Sequence, residues 1–597
     1  MGLKEKYGKI LVMDEIREQI EQAILKLFGE GVAAEIVTEV TVAPEGQDAD
    51  YASNIAMKLV GVLKKEEKLE IDGQPANPRL VGEMIKAELE SAAFPFEIEV
   101  AGPGFLNFIS RDGYWKEKLA EMLADFDKNI SCDEYSGKTV ICEFSDPNPF
   151  KVLHVGHLYT SVVGDAISRL VEFAGGKVVR ANFGGDVGLH VAKTLYAMQE
   201  KGITAKDIMV RDDDADETIS MDEIARRIEI IAKCYVEGTR AYEDNENAKI
   251  KITEMNRVIY AISENDLHDS ELAELYWAGR ELSYRYFADF YAKLGVKFNK
   301  YYPESTVAQK GLDEVKKHIP EVYEESNGAV VFIGERYGLH TRVFINQEGL
   351  PTYETKDVGL LFTKWEDYKF DTSVVITGND IIDYMKVVLK SVSMYAPELV
   401  ERTKHITHGN VKLPGNEKMS SRKGNFIKAV EVLDTVEKLV EETTGKPSDM
   451  TALAAIKYAF LKYKIGGNIE FDIEKSVSTT GNSGVYLQYS AVRAKKIIQN
   501  GTNQPENSEW KLNEYEKGLM QKLAQYKAVL EEAVVELSPH KIANYLYEVA
   551  QEFSRFYEHV KVAGSDFEAE RMKIVQAYLL VMTHGLELLG IKVPEEM

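Results

Sequence analysis

The chain has 597 residues, a formal net charge of −25, and 45% hydrophobic and 28% charged residues. This length predicts three to five domains in a soluble globular protein, and the charge by itself favours an acidic metabolic enzyme over a nucleic-acid binder. We expect no membrane span, signal peptide, disulfide framework or zinc site, because long apolar runs are lacking and the three cysteines lie far apart. The expected compartment is a reducing cytoplasm.

The beginning of the chain has an α+β pattern. Aliphatic side chains at helical spacing predict a helix over residues 14–28. Residues 96–100 alternate apolar and acidic side chains, and a Gly-Pro-Gly turn leads to a second apolar run over 105–109. These two runs predict a β-hairpin. We therefore predict a separate α+β module over residues 1–130.

From about residue 138 the pattern changes to strands that alternate with helices, which is typical of the parallel sheet of a Rossmann-like α/β domain. The pattern predicts a helix over 161–173 and strands over 139–144, 178–183, 373–377 and 405–408. An acidic stretch at 212–217 and the helical sequence after it predict an insertion at about 195–290. We expect the α/β domain to span 131–445 and an all-α domain to span 446–597.

A strand-to-helix turn carries the first candidate site. Residues 145–157 read Ser-Asp-Pro-Asn-Pro-Phe-Lys-Val-Leu-His-Val-Gly-His and precede the predicted helix. A helix N-terminus favours anions through its free N–H groups and its dipole. His154 and His157 could donate hydrogen bonds to phosphate oxygens there, and Gly156 would let a flat ring approach the backbone. Taken alone, so short a pattern is more often two surface histidines beside a turn glycine.

A basic segment far downstream is the second candidate. After a turn at Pro414 and Gly415 the chain continues with Lys418, Met419, Ser420, Ser421, Arg422 and Lys423. A basic loop can fold over a triphosphate and neutralise the charge that develops on a leaving pyrophosphate, which is an interaction that raises rate. Alone, this segment is again more often a solvated basic turn.

Together, in this order, the two segments resemble the paired signature sequences of class I aminoacyl-tRNA synthetases. The resemblance implies that an amino acid carboxylate attacks the α-phosphate of ATP and that the acyl group then passes to the terminal ribose of tRNA. ATP would enter with Mg²⁺, without a metal caged by the protein. The resemblance implies that the ATP-binding residues are His154, Gly156, His157, Gly378, Asp380, Lys418, Met419 and Ser420.

The second segment departs from the usual Lys-Met-Ser-Lys-Ser pattern of the class, because Ser421 stands where the second lysine is expected. Some arginyl enzymes alter this loop in a similar way and carry a lysine three residues before the first motif histidine. Lys151 occupies that position. Our hypothesis is that Lys151 shares the electrostatic load with Lys418, Arg422 or Lys423. The expected catalytic residues are His154, His157, Lys151, Lys418 and Arg422.

Two further segments, residues 143–148 and 352–359, resemble arginyl-tRNA synthetase sequences. The planar guanidinium of arginine pairs edge to edge with a carboxylate, so a selective pocket needs acids. Glu143 ends the first strand, and a helix capped by Thr352 would carry Tyr353 and Asp357 on one face. The resemblance implies that these three residues hold the side chain and that Asn148 holds the α-amino or carboxylate end. An uncharged analogue would leave these buried acids unpaired, so we expect the pocket to bind it up to ~10⁴-fold more weakly than arginine.

The two ends of the chain also resemble arginyl enzymes. Residues 50–54 and 101–108 resemble the N-terminal domain that touches the tRNA elbow, and residues 484–496 and 586–597 resemble the helical anticodon-binding domain. Aromatic side chains beside basic ones suit unstacked bases, but we expect only one or two of them to contact RNA. The interleaved residues are Tyr545, Tyr547, Phe553, Phe556, Tyr557 and His559, with Lys541, Arg555 and Lys561.

The expected partners are therefore arginine, ATP and arginine tRNA, with no membrane, and the expected state is a monomer. Other readings stay open. A glutamyl, glutaminyl or class I lysyl synthetase would share the motifs, although only the lysyl enzyme also needs a pocket for a cation. A non-catalytic tRNA-binding relative would fit the loss of the lysine at Ser421, but it would not need the intact His154 and His157. A smaller nucleotidyltransferase fails on length and on the helical terminus.

Overall fold

Three groups of elements follow one another in the computed structural model. The structure describes residues 12–44, 49–65, 70–71, 74–92, 94–210, 220–412, 414, 427–502 and 504–597. Within these residues, no helix is both long and apolar enough to cross a membrane.

The first group is an α+β module. Its helices are α1 (Val12–Phe28), α2 (Glu30–Ala34), α3 (Ile55–Lys65), α4 (Pro78–Ser91), α5 (Asp112–Ala124) and α6 (Phe126–Ile130). Its strands are β1 (Thr41–Val42), β2 (Tyr51–Ser53), β3 (Glu70–Ile71), β4 (Gln74–Pro75), β5 (Phe96–Ala101) and β6 (Phe105–Ser110). The predicted helix and hairpin are confirmed. Alternate side chains of β5 are buried, and its antiparallel sheet has the order β1-β2-β6-β5.

The second group is an α/β domain. Its strands are β7 (Thr139–Glu143), β8 (Lys177–Gly184), β9 (Lys300–Pro303), β10 (Glu324–Ser326), β11 (Ala329–Phe332), β12 (Arg342–Ile345), β13 (Thr372–Gly378), β14 (Thr403–His408) and β15 (Val411–Lys412). Its helices are α7 (Val155–Phe173), α8 (Leu189–Glu200), α9 (Met221–Asp244), α10 (Glu246–Glu264), α11 (Glu271–Leu294), α12 (Glu304–Lys317), α13 (Tyr353–Tyr368), α14 (Ile382–Val392) and α15 (Pro397–Glu401).

The main sheet of this domain is parallel, as the alternating pattern predicts. Its order is β14-β13-β7-β8-β9, so the chain winds outward from β7 in one direction and returns on the other side through β13. Strand order reverses between β7 and β13, and ligands of such sheets bind in the crevice at that point, outside the carboxyl ends of the strands. Helices α9 to α11 form the insertion between β8 and β9.

Helix α7 starts earlier than the sequence pattern predicts, at Val155 rather than near 161. It lies against the sheet at close range, because Gly164 faces the Phe144 ring and a Cβ there would lie only 2.1 Å from that ring. A side chain at residue 164 would therefore push α7 away from β7. The first turn of α7 is thus held next to the carboxyl end of β7, which is where sheets of this kind generally bind ligands.

The third group begins with a helix that the sequence analysis assigns to the α/β domain, and from residue 446 it is helical apart from the two-residue strand β16 (Ile469–Glu470), which pairs with β15. Its helices are α16 (Ala429–Thr444), α17 (Asp449–Leu461), α18 (Ile473–Ser476), α19 (Gly484–Gln499), α20 (Glu514–Ala524), α21 (Tyr526–Glu536), α22 (Pro539–His559) and α23 (Glu568–Leu588). The N-terminal module docks on this group through Asp50, whose carboxylate contacts Lys517 at 2.8 Å and Gln521 at 2.9 Å.

Candidate active site

The two histidines of the first motif cap helix α7 with their own rings. The Nδ1 atom of His154 accepts a hydrogen bond from the Gly156 N–H at 3.1 Å, and Nδ1 of His157 accepts one from the His154 N–H at 3.2 Å. The ring centroids lie 3.9 Å apart. Because Nδ1 of each ring accepts, the proton of each neutral imidazole sits on Nε2. Each ring can therefore donate one hydrogen bond to a ligand.

Both rings are held in the neutral form. Burial, followed by the charge of Lys151, lowers the pKa of His154 to about 4. Burial also lowers the pKa of His157 well below its ordinary value, and the neighbouring His154 and Lys151 add to this effect. At neutral pH the pair thus offers two Nε2–H donors without positive charge, and hydrogen-bond donors of this kind can stabilise charge that develops on a phosphate.

The chain after the second motif pairs directly with the first motif. The Val155 N–H donates to the Ile427 carbonyl at 3.0 Å, and the Ala429 N–H donates to the Leu153 carbonyl at 2.9 Å. His154 and Lys428 form an antiparallel β-bridge between them. The predicted residues Lys418, Met419, Ser420 and Arg422 themselves lie outside the described residues. The residues that immediately follow that segment are nevertheless in contact with the start of α7.

A cavity of about 200 Å³ opens beside the histidines. Its lining residues are Asn148, Lys151, Val152, His154, His157, Ala232, Tyr235 and Val236. The Asn148 Oδ1 atom accepts the Gly185 N–H at 3.0 Å, which leaves the amide NH₂ group as a donor. Four predicted site residues thus share one cavity, and helix α9 of the insertion supplies three further wall residues that the sequence motifs did not indicate.

Glu143 is buried at the end of β7 and already has a partner. The Lys364 Nζ atom donates to Glu143 Oε2 at 2.6 Å and to Ser373 Oγ at 3.0 Å, and both charged side chains are almost inaccessible to solvent. The expectation that the predicted acids stay unpaired without a bound cation is therefore wrong for Glu143. The physical reason is that an isolated buried carboxylate is costly, and Lys364 offsets that cost.

Asp357 lies two helical turns before Lys364 on α13. The Tyr384 hydroxyl donates to its Oδ2 atom. Burial raises the pKa of Asp357 to about 8, with the Tyr384 hydrogen bond opposing the shift and the charges of Glu143 and Glu304 adding to it. A carboxyl with this pKa is largely protonated at pH 7, and a cation that pairs with it must displace the proton. Of Glu143 and Asp357, Asp357 is therefore the acid whose ionised form a bound cation would stabilise more.

Tyr353 begins α13, as predicted, and its side chain is half exposed. Thr352 precedes it as the N-cap residue, but the Thr352 hydroxyl donates to the Val343 carbonyl at 2.8 Å and makes no capping bond to the helix. The Tyr353 ring lies 4.8 Å from the Lys356 Nζ atom, which forms a buried ion pair with Glu304. This pair fixes the start of α13 against α12, and the sequence motifs did not indicate it.

The predicted nucleotide-binding residues Gly378 and Asp380 lie at the end of β13. Gly378 is the last residue of this strand and pairs with His408 of β14. Asp380 follows in a short 3₁₀ turn and is exposed, and its charge partly opposes the lowering of the His154 pKa. Gly378 and Asp380 therefore lie on the same edge of the sheet as the first motif. Within the described residues, no group of three or more His, Cys, Asp or Glu could hold a metal ion.

A second candidate surface lies in the helical group. The Arg493 guanidinium lies 5.0 Å from the Tyr489 ring and 4.9 Å from the Tyr557 ring, and both tyrosines are exposed. With Lys496 and Lys561 they line a cavity of about 560 Å³. The other aromatics behave as expected, since Tyr545, Phe553 and Phe556 are buried between helices. The exposed Tyr489 was not singled out from the sequence, although it lies within a segment that resembles arginyl enzymes.

Three protein families match consecutive parts of the chain. The family described as "tRNA synthetases class I (R), catalytic domain" matches residues 118–472, which is more than half of the chain. The family "Arginyl tRNA synthetase N terminal domain" matches residues 14–109, and "DALR anticodon binding domain" matches residues 487–597. The chain belongs to the arginyl class I tRNA synthetases. The resemblance that the motifs indicated and the predicted fold class are thereby confirmed, and as a member of this family the chain is an aminoacyl-tRNA ligase.

Relatives of this arginyl synthetase match it from end to end. An Arginine–tRNA ligase of Bacteroides fragilis is 26% identical over 618 residues, covering 98% of the chain and 100% of the relative. One of Clostridium perfringens is 26% identical over 608 residues, covering 99% and 100%. The solved Thermus thermophilus arginyl-tRNA synthetase has a TM-score of 0.70 at 23% identity, covering 98% of the chain and 100% of the structure. At that identity the structural likeness supports the fold.

Proposed function

We propose that the chain activates arginine with ATP to form arginyl-adenylate and pyrophosphate, and then transfers the arginyl group to the 3′ end of arginine tRNA. The observation that carries this proposal is the pair of neutral Nε2–H donors of His154 and His157 at the start of α7. They share one sheet edge with acids that suit a guanidinium. Donors and acids so arranged can hold the α-phosphate of ATP next to an arginine carboxylate.

On the ATP side, His154 and His157 donate to phosphate oxygens, and Lys151 neutralises charge on the leaving pyrophosphate together with Lys418 and Arg422. The adenosine rests on the backbone near Gly156 and Gly378, with Asp380 beside the ribose, and Met419 and Ser420 complete the proposed set of ATP-binding residues. Mg²⁺ accompanies ATP and is held chiefly by phosphate oxygens. The support is that Lys151 lines the cavity of the histidines and that residue 427 pairs with α7.

On the arginine side, Asp357 pairs with the guanidinium and Tyr353 lines the aliphatic stem. Glu143 also binds the arginine side chain, through the carboxylate oxygen that Lys364 does not contact. Asn148 binds the carboxylate end, because its NH₂ group is a donor while its Oδ1 atom accepts the Gly185 N–H. Lys364 already neutralises Glu143, so selection against uncharged analogues depends mainly on Asp357. We therefore expect the preference for arginine over such analogues to be smaller than ~10⁴-fold.

We further propose that the chain acts as a monomer in the cytoplasm, and that its functional units are a tRNA-contacting module over 1–130, a catalytic domain over 131–445 and an anticodon-binding domain over 446–597. The cation between two exposed rings in the last unit supports anticodon binding, since unstacked bases bind by stacking and their phosphates by positive charge.

ATP–pyrophosphate exchange across all twenty amino acids, each with and without total tRNA, tests the proposed reaction. Exchange with arginine alone is the expected result. Exchange with lysine or another amino acid would keep the class and change the substrate. A folded chain that binds tRNA but exchanges pyrophosphate under no condition would instead support a non-catalytic tRNA-binding relative.

Replacing Tyr557 with leucine is expected to raise the KM for arginine tRNA by about 5- to 150-fold, because stacking on an aromatic ring contributes about 1–3 kcal/mol per base. Tyr557→Phe keeps the ring and is expected to stay within about twofold of the parent chain. The measurement is aminoacylation at varied tRNA concentration with arginine and ATP saturating. An equal loss in both variants, or none in either, would remove Tyr557 from the proposed anticodon surface.

A further inference from the structure

Helix α9 of the insertion forms one wall of the cavity beside the first motif. Ala232, Tyr235 and Val236 face that cavity from α9, while Lys151 and the two histidines line it from the catalytic turn. The insertion is therefore not only a surface addition to the sheet domain. One of its helices contacts the groups that we propose to handle the triphosphate.

The contact that matters most joins Tyr235 to Lys151. The Lys151 Nζ atom lies 4.7 Å from the centroid of the Tyr235 ring, within the range of a cation–π interaction. Both side chains are partly buried, where the attraction between an ammonium and a ring is stronger than in open solvent. A lysine has four rotatable side-chain bonds, so a ring that holds its ammonium reduces the number of positions that the charge can occupy.

Helix α9 itself is held firmly in place. Gly238, one turn after Tyr235, faces the Lys193 carbonyl of α8, and a Cβ at residue 238 would lie 1.9 Å from that oxygen. Earlier on the same helix, Glu229 contacts the Lys428 Nζ atom at 2.6 Å. Lys428 is the N-cap residue of α16 and follows closely on the second motif. Helix α9 thus packs against α8 and contacts both Lys151 of the first motif and Lys428, which follows the second motif.

We propose that Tyr235 is a positioning residue for adenylate formation, and that the insertion helix α9 acts through its ring to hold the Lys151 ammonium beside the histidine pair. This inference rests on the proposed function. The ring, rather than the hydroxyl, does the positioning. The chain lacks the second lysine of the usual loop at Ser421, so a well-placed Lys151 carries more of the pyrophosphate charge. The insertion would then contribute to catalysis without contacting the substrate.

The test compares Tyr235→Leu, Tyr235→Phe and Lys151→Met, together with the Tyr235→Leu/Lys151→Met double variant, in arginine-dependent ATP–pyrophosphate exchange. We expect Tyr235→Leu to lower kcat by about 5- to 30-fold, the range that a partly buried cation–π contact supplies. Tyr235→Phe should recover most of that loss. In the Lys151→Met background the leucine substitution should add almost nothing, because the ammonium that the ring holds is then missing.

Tyr242 offers a matched control on the same helix. Its ring lies 4.5 Å from the Lys193 Nζ atom, a similar contact that does not line the cavity. Tyr242→Leu is expected to leave kcat unchanged, and thermal melting of each variant checks folding. Full activity in Tyr235→Leu, an equal loss in Tyr235→Phe, or an undiminished effect in the Lys151→Met background would each overturn the inference. If the parent chain shows no exchange with arginine, the proposed function fails instead.

Discussion

Replacing His157 with asparagine is expected to lower the kcat of arginine-dependent ATP–pyrophosphate exchange by about 10²- to 10³-fold, the usual loss when one donor to developing charge is removed. The introduced asparagine side chain retains an acceptor near the former Nδ1 atom, so the hydrogen bond from the His154 N–H can persist. What disappears is the Nε2–H donor. The substitution therefore separates the proposed chemical role of the ring from its role in capping α7.

His157→Gln is the complementary variant, because its amide NH₂ reaches the former Nε2 position while the cap is lost. We expect His157→Gln to keep more activity than His157→Asn but to melt at a lower temperature, since the hydrogen bond that His157 accepts from the N–H of the N-cap residue His154 is lost. His268→Ala, at an exposed histidine between α10 and α11, serves as the control. Greater activity in the asparagine variant than in the glutamine variant would show that His157 acts only as a cap.

The pH profile gives an independent check on the same ring pair. Burial and neighbouring charge lower the pKa of His154 to about 4 and lower the pKa of His157 well below its ordinary value, so both rings are neutral near pH 7. Histidine protonation should therefore cause no change in kcat between pH 6 and pH 8. A step in kcat near pH 6.5 that vanishes in His157→Asn would contradict neutral donors.

Much of the fold follows from local patterns in the sequence. The strands over 139–143 and 372–378 are runs of β-branched and apolar residues, and a parallel strand buried on both faces needs little else to be recognised. The sequence pattern places the start of α7 about half a dozen residues too late. Its first turn reads Val-Gly-His-Leu and gives no amphipathic signal, and the capping groups there are histidine rings rather than the usual Ser, Thr, Asp or Asn. A helix that starts without the usual capping residues is therefore easily assigned to a loop from its sequence.

The candidate site was predictable only where a motif is contiguous. Asn148, Lys151, His154 and His157 lie within ten residues of one another and do share a cavity. The partners that adjust the electrostatics come from distant segments. Lys364 pairs with Glu143 across 221 residues, and Tyr384 reaches Asp357 across 27. A lone lysine in an amphipathic helix has no sequence feature that distinguishes a buried partner from a solvated one, so these pairings require the tertiary structure.

Replacing Asp357 with asparagine is expected to raise the KM for arginine by about 30- to 4,000-fold with little change in the KM for ATP. The loss of one member of a desolvated charge pair costs about 2–5 kcal/mol, much of it from leaving the guanidinium without an opposite charge. The substitution conserves shape and can keep the hydrogen bond from the Tyr384 hydroxyl. Glu366→Gln, an exposed acid on the same helix, is the matched control, and exchange kinetics at varied arginine measure the effect.

The raised pKa of Asp357 also predicts that the KM for arginine depends on pH. With the pKa near 8 in the empty site, the carboxyl is protonated at lower pH, and arginine binding must then release that proton. The KM for arginine should therefore rise as the pH falls below 8, by about tenfold per pH unit, and level off above it. In Asp357→Asn this slope should be absent, because no proton is released. A KM that is flat from pH 6.5 to 8.5 in the parent chain would mean that Asp357 is already ionised, or that the guanidinium pairs elsewhere, with Glu143 the nearest alternative acid.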